Sequence, residues 1–342
     1  MDTLKKRMQD YIVKISTCAL ITLLYSGCSQ PQQELVVYTS VDQIFSELLI
    51  EQFEKDTGIR VKAIYDTEAA KTVGLEKRLI AEKERPQADI FWNSEHLRTL
   101  RLKSAGILSN YKSNAFNSVP DGFKDQEGYW TGFGARYRVF VINHEMVDKD
   151  DFSKSLDVLT DNEWRGKAAV AKPYFGTTST HFAALYARHN SEVYRQFLTG
   201  LKDNDVAFLS GNSHVRDAVV RGEYAFGLTD TDDVSVAIDR GDNVSMVFAD
   251  NFEDGAYAIP HTVSMIAGGP NPENAKKFVD YLLSKKAIQL LVDIGAIHGS
   301  IRPDLGIKTK YPQPDKFWLE GSPAILEALG SSAELAREIL DK

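Results

Sequence analysis

Apolar positions along this chain alternate between two periods. Leu35-Val-Val-Tyr-Thr39 is an unbroken apolar run, the pattern of a strand buried on both faces. Residues 43–56 then repeat apolar positions at helical spacing, with Ile44, Leu48, Leu49 and Phe53 on one face and Gly58 as the stop. Ile59, Val61 and Ala63 alternate as a second strand. A helix over 70–84 turns Leu75, Leu79 and Ile80 inward, and Ala88-Asp-Ile-Phe-Trp92 makes a third strand. Strand-helix-strand-helix-strand predicts a parallel sheet with right-handed crossovers.

The pattern restarts after residue 138. Apolar runs at 138–142 and 168–172, a helix near 180–190 and Val206-Ala-Phe-Leu209 predict a second α/β unit. A helix over 213–221 stopped by Gly222 and a strand over Tyr224–Thr229 continue it, with further strands at Val244–Phe248 and Val263–Ala267. Asn271 as cap, Pro272 in the first turn and Phe278, Tyr281 and Leu282 on one face punctuate a late helix. The last twenty residues read as short helices packed on the outside.

The first thirty residues follow neither period. Lys5, Lys6 and Arg7 precede an apolar run of 11 residues, Ile15 to Tyr25, too short to span a bilayer but the size of a signal-peptide core. It ends in Tyr25-Ser-Gly-Cys28, which resembles a lipobox, although Tyr25 stands where an aliphatic residue is usual. The plainer alternative is a secretory peptide with a chance cysteine. Only Cys18 and Cys28 are present, so cleavage before Cys28 leaves one thiol and no internal disulfide, as an acyl acceptor would be. Residues 1–27 are therefore expected to be a lipoprotein signal peptide and 28–33 a tether. The protein would be anchored at a membrane through lipid on Cys28 without crossing it.

The remaining 315 residues exceed what one core usually serves, which makes two lobes the default. Losing the signal removes four cations and two anions and moves the net charge from −8 to −10. A chain this acidic lacks the cationic face that nucleic acid requires.

Ligands of open α/β sheets bind beyond the carboxyl ends of the strands. The residues placed there are polar: Ser40 and Asp42 after the first strand, Tyr65–Glu68 after the second, and Asn93, Ser94 and Glu95 after the third. In the second unit they are Gly176, Thr177, Thr178 and Ser179 at one helix start, Asn212 and Ser213 at another, and Asp230, Asp232 and Asp233 after Thr229. Each type also suits a helix cap, and a cap in a cleft does both jobs. Asp42, Glu95, Asp232 and Asp233 are the candidate metal ligands, because like charges gathered in a partly dry cleft call for a cation. Hard oxygen donors favour ferric iron or calcium. Gly176–Ser179 and Asn212-Ser213 offer N–H and hydroxyl donors to an anion. The ligand is then a metal ion with an anion, or a small molecule carrying an amine with a phosphonate or carboxylate.

Val36–Ser40, Phe53–Ile59, Ala88–Trp92, Ala105–Leu108, Trp164–Lys167, Gly222–Leu228 and Pro272–Phe278, in that order along the chain, resemble stretches of the ferric-ion-binding and related family 1 solute-binding proteins of bacterial ABC importers. The resemblance implies a type II periplasmic-binding-protein architecture, two α/β lobes around a cleft joined by two hinge strands, with delivery to a permease. Lobe I would be 34–131 plus 260–342 and lobe II 132–259, with hinge strands near 132–141 and 247–259. Arg136 and Tyr137 would fall in the crossover, as hinge or ligand contacts. Iron-binding members use a His, a Glu and an adjacent Tyr pair; here the corresponding positions are Asp42, Glu95 and Asp232-Asp233, and the Tyr pair is absent. Other relatives take phosphonates, sugar phosphates or thiamine. A monomer in the periplasm or at the cell surface is expected, with no catalytic cofactor.

Other classes find less support. His144, His181, His214, His261 and His298 fall in no catalytic motif, and there is no Gly-x-Ser-x-Gly, His-Glu-x-x-His or phosphate loop ending in Lys-Ser/Thr. A structural zinc module needs more cysteines than the chain has. A lipoprotein that senses its ligand for a partner receptor remains the alternative to transport, and a lipid-anchored enzyme the remote one. Replacing Cys28 with Ser is expected to move the protein from the membrane fraction to the soluble one with ligand binding intact; wild-type protein found soluble with an unmodified Cys28 would remove the anchor.

Overall fold

The computed structural model describes residues 33–66, 73–250, 253–319 and 324–341; the segment expected to be a signal peptide, Cys28, Thr67 and Glu68 lie outside them. β1 (Glu34–Thr39) pairs in parallel with β2 (Arg60–Tyr65) on one side and β3 (Ile90–Asn93) on the other. Flanked on both edges and covered on both faces, its apolar run is accounted for. α1 (Gln43–Thr57) ends at Gly58, which takes φ 71° and returns its N–H to the Glu54 carbonyl.

The buried face of α1 is Phe45, Ser46, Leu49, Ile50 and Phe53. Ile44 and Leu48, expected inward, are 67% and 47% exposed. The helix is rotated by about one residue, so that the Phe45–Leu49–Phe53 stripe meets the sheet. Phe53 then packs edge-on against Phe278, with ring centroids 5.0 Å apart. α2 (Val73–Ala81) buries Leu75 and Leu79 but leaves Ile80 40% exposed, a second correction of the same kind. α3 (Leu97–Ser104) follows β3.

Two long strands hold the middle of the sheet. The run expected at 138–142 is the far half of β5 (Thr131–Asn143), and Val263–Ala267 is the end of β10 (Ala256–Ile266); both strands are buried throughout. β10 is antiparallel to β3, to the short β4 (Leu108–Ser109) and to the near half of β5, with a register shift against β5 between His261 and Thr262. The far half of β5 is antiparallel to β8 (Phe226–Asp230) and β9 (Val244–Phe248), and β6 (Ala168–Ala171) lies parallel between β8 and β7 (Ala207–Leu209). The resulting order is β2-β1-β3-β10-β5-β8-β6-β7.

The connections place helix starts at the strand ends. β6 runs through residues 172–175 into α4 (Gly176–Asp203), β7 through Ser210-Gly211 into α5 (Asn212–Val220), and β8 directly into α6 (Thr231–Asp239). α4 is two helices joined at Asn190, whose φ of 67° breaks the rod and whose Oδ1 accepts the N–H groups of Glu192 and Val193. α7 (Pro272–Leu282) begins with Pro272 as expected, but Asn271 does not cap it through its side chain. Its Nδ2 donates instead to buried Asp89, which also accepts Val36 N–H at 2.8 Å. α8 (Lys285–Asp293) completes the first half.

The last residues correct the expectation of short helices. α9 (Ala324–Leu340) is one 17-residue helix that buries Ile325, Leu329, Leu335 and Ala336 against α4 and the second half of the sheet. Lys202 Nζ donates to the Ile339 carbonyl at 2.9 Å across that contact. The segment 260–342 therefore divides, α7 and α8 lying with β1 and β3 and α9 with α4. Gly227 of β8 shows how closely the second half is packed: a Cβ there would lie 2.4 Å from Val215 Cγ1 and 3.0 Å from the Ala169 carbonyl. Gly227→Ala is expected to cost about 1–3 kcal/mol in denaturant unfolding, and an unchanged midpoint would show that the contact relaxes freely.

Candidate functional site

β5 carries two arginines on one face, Arg136 and Arg138, two residues apart. Arg138 is fully buried and sits opposite Asp230 in the β5–β8 register. Its Nη1 donates to Asp230 Oδ1 at 2.5 Å and to Asn212 Oδ1 at 3.3 Å. Asp230 Oδ2 accepts from Thr177 Oγ1 at 2.6 Å and from Asn212 Nδ2 at 3.0 Å. The first turns of α4 and α5 are thus pinned to the end of β8 by one carboxylate. Burial alone would raise the Asp230 pKa, but Arg138 and Arg136 outweigh it and hold the carboxyl below its ordinary value.

Arg136 answers the next carboxylate. Its Nη1 donates to Asp232 Oδ2 at 2.7 Å and lies 3.4 Å from Asp230 Oδ2, while Nη2 donates to the Ser94 carbonyl at 2.9 Å. Burial opposes the charge on Arg136, and Asp232 and Asp230 override it and push its pKa up. Asp232 moves up as well: burial, then the charges of Asp230 and Asp42, outweigh Arg136. Asp232 Oδ1 is buried and has no hydrogen-bond partner among the described residues. Asp233 Oδ2 accepts from Thr229 Oγ1 at 3.0 Å, and its Oδ1 lies 3.6 Å from Arg216 Nη1.

Arg136, Asp230, Asp232 and Asp233 line one small cleft of about 100 Å³. Of the residues expected from sequence, Asp42, Gly176, Thr177, Thr178, Asn212, Ser213, Asp230, Asp232 and Asp233 meet there. The starts of α4, α5 and α6 converge on it, so partial positive charge and N–H donors face its interior. Gly176 opens α4 at φ 55°, a left-handed conformation costly for a residue with a Cβ.

Four expected residues stand elsewhere. Ser40 lines a small adjoining recess and donates to Asn93 Oδ1 at 2.5 Å, behind the cleft wall. Glu95, proposed as a metal ligand, is fully buried and serves α3: its oxygens accept the N–H groups of Leu97 at 2.6 Å and Arg98 at 3.0 Å. Thr180 Oγ1 donates to it at 3.0 Å. Ser179 is buried in the first turn of α4 and outside the lining. Two charges of the acidic cluster are met within the protein, Asp232 by Arg136 and Asp230 by Arg138. Lys172, Phe175 and Ser210 also line the cleft and were missed. The available signal was Arg136-Tyr-Arg138, two charges at same-face spacing inside an apolar strand.

The sequence profile of bacterial extracellular solute-binding proteins matches residues 86–317. Iron uptake protein A1 of Synechocystis is 25% identical over 266 residues, 75% of this chain and 72% of its own. The putative 2-aminoethylphosphonate-binding periplasmic protein of Salmonella paratyphi A is 24% identical over 286 residues, 80% of this chain and 82% of its own. Among solved structures, the apo ferric ion-binding protein A of Pasteurella haemolytica superposes with a TM-score of 0.80 at 23% identity, covering 90% of this chain and 98% of that one. That likeness bears out the type II periplasmic-binding architecture.

Asp230→Ala leaves Arg138 buried without its carboxylate and is expected to destabilise the protein by about 3–5 kcal/mol; unchanged stability would deny the pair its role. Because the folded pKa of Asp230 is depressed, its contribution is complete above the ordinary value of 3.8 and is lost as pH falls through the folded value. Urea unfolding across the acid range should show that loss in the wild type and a flatter profile in Asp230→Asn.

Proposed function

The chain belongs to the family of bacterial extracellular solute-binding proteins, and from that membership we propose that it captures a small zwitterion bearing an amine and a phosphonate or phosphate and delivers it to the permease of an ABC importer. The observation that carries this reading is the polarity of the cleft. At one end are the converging helix starts, whose backbone N–H groups join Ser213 and Lys172 as donors suited to a tetrahedral anion, the Thr177 and Thr178 hydroxyls being already given to Asp230 and Asn212. At the other, Asp232 offers a buried oxygen without a partner among the described residues, flanked by Asp42 and Asp233, which suits an ammonium group. The 2-aminoethylphosphonate relative is consistent with this arrangement.

In this reading residues 34–131 with α7 and α8 form one lobe, and residues 132–259 with α9 form the other. β5 and β10 cross between the lobes, and the ligand favours the closed form. The protein acts as a monomer outside the cytoplasm, held by lipid at Cys28. No helix among the described residues is long and apolar enough to cross a membrane.

A second reading, ferric iron with a bound anion, draws on Asp230, Asp232 and Asp233, which each offer an oxygen within 4.8 Å of the others. Of the two hard cations expected from the oxygen donors, only iron has a counterpart among the relatives above. Thermal unfolding with 2-aminoethylphosphonate at 100 times its Kd should show stabilisation of about 2.7 kcal/mol. Asp232→Asn combined with Asp233→Asn should abolish it, and X-ray scattering should show a smaller radius of gyration with ligand. A neutral sugar that binds the double variant as well as the wild type would overturn the charge-based reading.

A further inference from the structure

Arg136 already occupies the space between two of the three carboxylates of the acidic cluster, Asp230 and Asp232. It reaches Asp232 at 2.7 Å and Asp230 at 3.4 Å through one nitrogen and the Ser94 carbonyl at 2.9 Å through the other. The side chain is 7% exposed, so little water screens its charge, and its repulsion of a second cation scales with that cation's charge, roughly three times as strong for a ferric ion as for a singly charged ammonium. We propose that Arg136 is the specificity-determining residue of the cleft: its guanidinium fills the cation position between Asp232 and Asp230, so that the site accepts an organic ammonium at the remaining oxygen and excludes a bare metal ion. The proposal rests on the zwitterion reading above and extends it to what the cleft rejects.

Donor counting supports the assignment. Both Asp230 oxygens are engaged, by Arg138 on one side and by Thr177 and Asn212 on the other. Asp233 has one oxygen on Thr229 and the other near Arg216. Asp232 Oδ2 is taken by Arg136, which leaves Oδ1 as its open acceptor. One carboxylate oxygen suffices for an N–H donor from an amine. A hard metal ion of the iron or calcium type collects about six oxygen ligands, and the cluster can supply them only if the arginine gives up its place.

The planar fork of the guanidinium explains why arginine holds this position. It bonds Asp232 at the start of α6 and the Ser94 carbonyl beyond β3 at the same time, whereas a lysine ammonium is a single point charge on a flexible stem. Removing the charge would return Asp232 Oδ2 to the cleft and leave Asp42 and Asp232 without that guanidinium between them and an incoming cation.

The test compares wild type, Arg136→Gln and Arg136→Lys by calorimetric titration with two probes, 2-aminoethylphosphonate and ferric citrate, with bound iron counted after gel filtration. The wild type is expected to bind the aminophosphonate and retain no iron. Arg136→Gln should shift the ratio of the two affinities toward iron by at least about tenfold, and Arg136→Lys, which keeps the charge, should still exclude it. Iron retained by the wild type overturns the proposal whether or not the glutamine variant folds. If the wild type binds the aminophosphonate but Arg136→Gln gains no iron, the zwitterion reading stands and the role of Arg136 falls. If the wild type binds neither probe while Arg136→Gln takes iron, the exclusion stands and the zwitterion reading falls.

Discussion

Arg138 is buried to its last atom in a strand that is buried along its whole length, and a guanidinium in that position has to be answered inside the protein. Its answer is Asp230, directly across the β5–β8 register. The two oxygens of that carboxylate then dictate where the next elements begin. Thr177 brings the first turn of α4 to it and Asn212 the first turn of α5, while α6 starts at the following residue. Truncating one partner of such a pair strands the other charge in a dry interior, which is why so much of the cleft depends on a single contact.

The same constraint shapes the chemistry the cleft offers. Acidic residues near a cleft read as a cation trap, yet the charges of Asp230 and Asp232 are already met by Arg136 and Arg138 from β5. The remainder is directional: N–H and hydroxyl donors from helix starts on one side, an open carboxylate oxygen on the other. The groups that would orient a ligand carrying both signs are held by the same bonds that stabilise the fold.

The family and the cargo rest on different parts of the molecule. Strand order, helix placement and the long central strands are shared with structures at about a quarter sequence identity, because many sequences satisfy the same burial pattern. Cargo depends on a few side chains of the site rather than on the fold, and relatives of similar identity to this chain are named for iron and for an aminophosphonate. Asp232-Asp233 stands where the family resemblance would place the paired tyrosines of iron-binding members, and Arg136 lies between Asp232 and Asp230.

Local periodicity was sufficient to read the α/β class, the parallel opening of the sheet, the stop at Gly58 and the start at Pro272, since these depend on neighbours within one helical turn or one pleat. Position after a strand was sufficient to collect most of the cleft, because in an open sheet the carboxyl ends face one side. What the chain did not disclose on its own depends on pairing across distance. The stripe of α1 that meets the sheet was settled by where Phe53 finds Phe278. Glu95 was drawn to the nearest free N–H groups, those of α3. Arg136 and Arg138 lie more than ninety residues from the aspartates that neutralise them, and only strand register brings the charges together. Sequence therefore determined which groups the protein could place at its cleft, and the tertiary structure decided which of them are already paired and which remain open to a ligand, because a buried charge is settled by whatever the fold sets beside it.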